Sequence, residues 1–329
     1  MERELALEFV RVTEAAAIEA GRLMGRGDKN GADALAVDAM RTMLDTVDIR
    51  GTVVIGEGEM DEAPMLYIGE KIGDGQGEPV DIAVDPVEGT NLVAKGLPGA
   101  IAVMAVAPAG CLLHAPDMYM EKIVTGSAGR GVISLDAPVE ENLRALADRL
   151  GKSVTDITVV LLDRDRHDNV IRRIRQAGAR IRLISDGDVS PALAACVPDS
   201  GIDMLMGRGG APEGVLAAAA VKCLGGEMQA RLVAEDAAQE QRVRAMGVSD
   251  PTKLLTLEDL VRGDDVLYVS TAITDTDLLD GVQYGPRFCS THSVVMRSLT
   301  GTVRFVHAEH QLTKKWPNGR PVAQSRRKI

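Results

Sequence analysis

The stretch that most constrains the fold is residues 156–197, DITVVLLDRDRHDNVIRRIRQAGARIRLISDGDVSPALAACV. Two short apolar runs, ITVVLLD and RIRLIS, are each followed by a helix-like segment, and the first segment carries Val170, Ile171, Ile174 and Ala177 at helical spacing. A strand–helix–strand alternation predicts parallel strands, because the helix carries the chain back to start the next strand in the same direction. Residues 202–232, IDMLMGRGGAPEGVLAAAAVKCLGGEMQARL, repeat the rhythm as strand, glycine loop and helix.

The first 130 or so residues mix elements differently. Leu5, Phe9, Val12 and Ala16 predict an amphipathic opening helix, which GRGDKNGAD breaks with glycines and an Asn-Gly pair. A second helix follows, with Ala36, Met40, Met43 and Val47 on one face. A short buried strand over Thr52–Ile55 runs into the charged loop GEGEMDEAP. A second strand, VDIAV, alternates Val80, Ile82 and Val84 with Asp81 and Ala83, and GAIAVMAVAP reads as a third. Beyond Asp236 the pattern weakens, although VLYVSTAIT reads as a strand and the tail SRRKI is basic. The expected class is α/β (α+β), with an N-terminal α+β lobe over 1–145 and a C-terminal α/β lobe over 146–329.

Apolar residues make up 45% of the 329, so a sizeable core is available, but aromatics are only 2%, so Ala, Val, Leu, Ile and Met must build it. A net charge of -11 argues against nucleic acid and against an acidic membrane surface, both of which need a dense basic face. Glu2, Glu4 and Glu8 break the basic-then-apolar order of a signal peptide, and no apolar run approaches the ~20 residues that span a bilayer. Cys111, Cys196, Cys223 and Cys289 form no CxxC pair, which points to reduced thiols in a cytoplasmic protein. His307 and His310 in HAEH could share a helical face, but too few further ligands are at hand for zinc.

Carboxylates stand at the ends of several predicted elements. Asp33 starts the second helix, Glu57 and Glu59 follow the first strand, and Asp85 and Glu88 in DPVEGT follow the second. Glu213 opens the helix after GRGGAP. Singly, each has an ordinary role: Asp33 as an N-cap, Glu213 at the positive end of its helix, the others in solvated loops. Together they would repel unless cations neutralised them, and hard oxygen ligands suit Mg2+ or Mn2+. Two such ions clamp a phosphoryl group and lower the pKa of a bound water. Thr90 could then orient that water, and Gly89 would let the backbone come close.

GEGE, DPVEGT and APEGVLAAAAVKCLGGEMQARL, in this order, resemble the lithium-sensitive, metal-dependent sugar phosphatase superfamily. Glu88 where inositol monophosphatases have Asp, and APEG where they have Trp-Asp, match the class II fructose-1,6-bisphosphatases. DKNGAD, DMYMEK, LDRDRH and SDGDV extend that resemblance over nearly the whole chain. The resemblance implies a layered sugar-phosphatase fold with two sheet-containing lobes and the active site between them. It also implies cytoplasmic hydrolysis of the 1-phosphate of fructose 1,6-bisphosphate, two or more Mg2+ or Mn2+ ions, and a homodimer or homotetramer.

Residue by residue, the resemblance makes Asp33 and Glu57 ligands of one ion, and Asp85, Glu88 and Glu213 ligands of a second. It makes Thr90 the water-positioning residue and sets Glu88, Gly89 and Thr90 against the phosphate that leaves. Tyr119 becomes a substrate contact, and Arg164 and Arg166, with Asp165 between them, a clamp on the phosphate that stays. Asp186, Gly187 and Asp188 would contact sugar hydroxyls, and Gly210 would offer its backbone.

The residues read by themselves leave alternatives. Arg164 and Arg166, as alternate residues of an extended segment, would point the same way, or belong to a solvated charge run. Asp186 and Asp188 could cap the next helix. The GRGGAPEG amides could bind an anion, or the glycines only make the turn. Sedoheptulose 1,7-bisphosphate is an alternative substrate. An inositol-monophosphatase-like activity fits less well with Glu88 and two arginines, and a non-catalytic sugar-phosphate sensor less well with Thr90 beside five carboxylates. No GxGxxG supports a nucleotide-dependent oxidoreductase.

Overall fold

The computed structural model describes residues 1, 4–58, 65–245, 248 and 250–315; Glu59 and the basic tail SRRKI lie outside them. In chain order the helices and strands begin with α1 (Leu5–Gly21), α2 (Lys29–Leu44), β1 (Arg50–Ile55), β2 (Lys71–Ile72), β3 (Pro79–Glu88), α3 (Thr90–Lys95) and β4 (Ile101–Pro108). Then come β5 (Tyr119–Thr125), α4 (Val139–Leu150), β6 (Thr158–Leu162), α5 (Asp168–Ala177), β7 (Arg180–Ile184), α6 (Val189–Ala194), β8 (Met204–Gly210), α7 (Ala211–Leu224) and β9 (Glu227–Val233). The remainder is α8 (Ala237–Ala245), β10 (Leu255–Thr256), α9 (Leu257–Leu260), β11 (Leu267–Ala272), β12 (Gln283–Tyr284), β13 (Phe288–Arg297), β14 (Thr302–Gln311) and α10 (Leu312–Lys315). The class is mixed α/β with two sheets, as the sequence predicts.

The chain forms two contact units. One holds Met1–Cys111, Leu267–Arg297 and the residues from Thr302 onward; the other holds Leu112–Val266 with Ser298–Gly301. These units do not coincide with lobes 1–145 and 146–329, because β11 pairs with β4 along Leu267–Ala272 and draws the late strands into the first sheet.

In the first unit the sheet order is β12-β13-β11-β4-β3-β1-β2, with β14 on β13. β1 and β3 run parallel, and β4 lies antiparallel between β3 and β11. β4 is buried along IAVMAVA, as a central strand covered on both faces should be. Helix α1 packs on β11 and β13 and is buried almost all round rather than on one stripe. Its polar residues are accommodated there: Thr13 bonds Thr271 at 2.8 Å, which bonds Ser293 at 2.7 Å, and Glu14 faces Thr291 and His310.

In this unit four local expectations change. Asp28, not Asp33, caps α2, accepting from Gly31 N–H at 2.8 Å. Val47 is buried but lies beyond that helix. β3 continues through DPVE instead of ending before it. HAEH is in strand β14, so His310 is buried on one face and His307 exposed on the other.

In the second unit the sheet order is β10-β9-β5-β8-β6-β7. β6 is parallel to β7 and β8, as the alternation predicts, while β5 and β9 add an antiparallel half. GRGG is the end of strand β8 rather than a loop, with Tyr119 paired to Gly210. Among the described residues no helix is long and apolar enough to cross a membrane.

Candidate active-site residues

In the first unit the sites of interest lie at the C-terminal ends of parallel β1 and β3. Glu57 leaves β1 on a loop held by its own N–H to Leu66 O at 3.0 Å. Burial pushes its carboxyl up to about 7, and the nearby Asp33 charge adds to the rise. Asp33, in the second turn of α2, is itself raised by burial. The Asp33 charge thus acts on the Glu57 carboxyl, and both groups are disfavoured as anions by burial.

Asp85 and Glu88 are brought onto one face of the sheet by a β-bulge. Residues three apart in a regular strand face opposite ways. Here Asp85 pairs with Val103 and Glu88 with Ile101, two positions on, so one extra residue is absorbed and the faces match. Pro86, which has no ladder N–H to offer, sits in the bulge, and Asp85 Oδ1 accepts from Val87 N–H at 3.0 Å. Glu88 is buried. Gly89 follows in the left-handed region at φ 90° and turns the chain into α3, whose first residue is Thr90. Among the described residues no three His, Cys, Asp or Glu side chains converge as a ready metal cluster.

In the second unit the expected residues gather at one end of the sheet. Arg164 is extended, but Arg166 lies in a 3-10 turn over Asp165–His167, so the two are not alternate residues of a strand. Arg164 donates to Ser185 O at 2.7 Å, and Arg166 to Arg208 O at 2.7 Å. The Arg166 guanidinium stacks 4.8 Å from the centroid of the half-exposed Tyr119 ring. Asp165 is exposed beside them. Gly187, at φ 73°, separates half-buried Asp186 from buried Asp188. Asp188 sits at the N-cap position of α6 but makes no side-chain cap; Lys122 Nζ takes its Oδ2 at 2.6 Å instead.

Gly210 ends β8 and Glu213 stands in the first turn of α7. A Cβ on Gly210 would fall 1.9 Å from Glu213 Oε2, so a side chain there would displace the Glu213 carboxylate from this position. Burial raises the Glu213 carboxyl, Lys122 opposes that rise, and Asp188 and Asp117 reinforce it.

Two residues escape a reading of the sequence. Lys122 sits on the inward face of β5 with Met120 and Val124, 1% exposed; a lysine in that alternation is the available signal. His167 is 3% exposed and spans two elements, with Nδ1 2.7 Å from Leu162 O and Nε2 accepting from Arg208 N–H at 2.8 Å. That pair of bonds requires the neutral Nδ1–H tautomer, and burial holds the imidazole below its ordinary pKa, with Arg166, Arg208 and Arg164 pushing the same way. Nothing in the sequence distinguishes this histidine from the others.

Residues 3–310 match the family described as bacterial fructose-1,6-bisphosphatase, glpX-encoded. The chain is 48% identical over 330 residues to fructose-1,6-bisphosphatase 1 class 2 of Escherichia coli K12, covering 96% of this chain and 98% of that one. It is 49% identical over 325 residues to the class 2 enzyme of Haemophilus influenzae, covering 95% and 97%.

Proposed function

Because the chain belongs to the class II, glpX-type fructose-1,6-bisphosphatases, it is a phosphatase, and we propose that it hydrolyses fructose 1,6-bisphosphate at the 1-phosphate, giving fructose 6-phosphate and phosphate. The observation that carries this reading is the match over residues 3–310 together with the gathering of Tyr119, Arg164, Arg166, Asp188 and Glu213 at one sheet end. The wider kinship with lithium-sensitive sugar phosphatases is part of the proposal and rests on the order of GEGE, DPVEGT and APEG. So are a cytoplasmic location, a homodimer or homotetramer, and the division into a metal-binding lobe and a substrate-binding lobe.

Asp33, Glu57, Asp85, Glu88 and Glu213 are assigned as carboxylate ligands, and their hard-oxygen chemistry fits Mg2+ or Mn2+. The repulsion between Asp33 and Glu57 is the local feature that a cation relieves. Bound divalent ions would supply charge neutralisation at the phosphoryl oxygens and a water of lowered pKa. The remaining steps belong to the protein. Thr90 Oγ1 orients the attacking water, and Gly89 lets the backbone approach the phosphate that leaves. Arg164 and Arg166 bind the phosphate that stays, with Tyr119 and Asp165 beside them. Asp186, Gly187 and Asp188 accept sugar hydroxyls, and Gly210 presents its backbone. Catalysis of this kind is positioning and electrostatics, with no covalent phosphoenzyme.

Phosphate release from a panel of sugar phosphates tests the assignment. EDTA should abolish turnover, and Mg2+ or Mn2+ should restore it. Fructose 1,6-bisphosphate should be hydrolysed far faster than fructose 1-phosphate; equal rates would refute the clamp. Sedoheptulose 1,7-bisphosphate in the same panel decides whether the enzyme is dual. Activity undiminished after chelation would refute the metal ligands.

A further inference from the structure

We infer that Lys122 is a positioning residue for sugar binding, acting through Asp188 and the Gly210 carbonyl; this rests on the proposed reading of those two residues as substrate contacts. Lys122 lies in the middle of β5, between Gly207 of β8 and Ala230 of β9. Its Nζ meets Asp188 Oδ2 at 2.6 Å and donates to Gly210 O at 3.2 Å. The carboxylate is itself buried, at 7% exposure.

The surroundings are shaped for this pair. A Cβ on Gly209 would lie 2.2 Å from Asp188 Oδ2 and 2.9 Å from Lys122 Nζ, so a side chain there would part them. A Cβ on Gly214 of α7 would lie 2.4 Å from Met120 Sδ, so glycine lets the helix pack closely on β5 beside the lysine stem. A buried ion pair is a poor device for stability, since packed apolar residues of similar volume often serve as well or better. What it does well is fix direction. Lys122 Nζ holds the carboxylate of Asp188 by Oδ2, which fixes the direction in which the group faces a substrate hydroxyl. The same ammonium orients the Gly210 peptide at the junction of β8 and α7.

The test is a double-mutant cycle on the full-length enzyme, with KM and kcat measured on fructose 1,6-bisphosphate at saturating Mg2+. Lys122→Met should raise KM about tenfold or more while kcat changes less than about threefold, as loss of charge-assisted binding away from the reacting phosphate requires. In an Asp188→Asn background the same substitution should raise KM much less than it does alone, because the charged target is gone and only the Gly210 carbonyl remains. A purely structural lysine would give effects that add, and that result, or a wild-type KM for Lys122→Met, overturns the inference. Asp188→Asn with a wild-type KM would instead refute Asp188 as a substrate contact. Should Lys122→Met not fold, Lys122→Gln, which keeps a donor and drops the charge, runs the same cycle with the same readings.

Discussion

The bridge made by His167 gives a prediction whose size follows from its bonds. Its ring joins the end of β6, through Leu162 O, to the end of β8, through Arg208 N–H, and so ties together the two segments that carry Arg164, Arg166 and Gly210. Truncation to alanine loses two hydrogen bonds of about 1 kcal/mol each, strands a backbone donor, and opens a cavity, for a sum of about 3–5 kcal/mol. The pH dependence has a definite sign. The folded protein holds the ring neutral because Nε2 must accept, and its pKa lies below the ordinary value of 6.5. Between that value and the lower folded one the unfolded chain binds the extra proton, so the stability contributed by the neutral ring is present at higher pH and is lost as pH falls. From pH 7.5 to 5.5 the loss approaches about 1.4 kcal/mol as an upper limit, since one proton is at stake. Urea unfolding of wild type and of His167→Gln over this range isolates the effect, because other titrating groups cancel in the difference. The glutamine can donate and accept as the neutral ring does, yet does not titrate. Its stability should therefore fall less than that of wild type on acidification. Parallel curves for the two proteins would refute the neutral bridge.

Three further outcomes are expected. Asp85→Asn should keep the acceptor for Val87 N–H and fold normally while turnover nearly vanishes, whereas Asp85→Ala should also lose about 1 kcal/mol in urea unfolding. Arg166→Ala should lower kcat/KM for fructose 1,6-bisphosphate about ten- to hundredfold, the worth of a charged hydrogen bond, and change fructose 1-phosphate hydrolysis far less. Thr90→Ala should mainly lower kcat under saturating metal; a wild-type kcat in a steady-state phosphate-release assay would end its water-positioning role.

How much of this was legible in the sequence depended on whether local pattern or distant pairing decided each element. The strands β6 and β7 and helix α5 could be read directly, because β-branched runs and a helical stripe lie side by side in the chain. The pairing of β4 with β11 could not, since it joins segments about 160 residues apart and no local signal specifies a sheet partner. Asp33 was legible as an acid near a helix start, but Asp28 competed for the cap and won by bonding Gly31 N–H. GRGG carried the composition of a turn; its glycines instead make room in a strand for the Lys122–Asp188 pair and for Glu213. The lysine and histidine that hold this end of the second sheet left almost no trace, because a buried polar residue is defined by partners that the chain supplies from elsewhere.

DPVE shows how residue types that suggest a loop can instead continue a strand. Proline and two acids are loop signals, and a three-residue spacing puts the acids on opposite faces of any regular strand. Both objections dissolve at a bulge. Proline is tolerated there because the ladder bond it cannot make is already interrupted, and Asp85 satisfies the Val87 N–H that the interruption would leave exposed to loss. The same extra residue turns the unfavourable spacing into a shared face, opposite Val103 and Ile101. The four residues thus encode two acids and the distortion that makes them face together, and Asp85 belongs to both. Removing its charge and removing its acceptor oxygen are therefore separable operations, one acting on chemistry and the other on the strand.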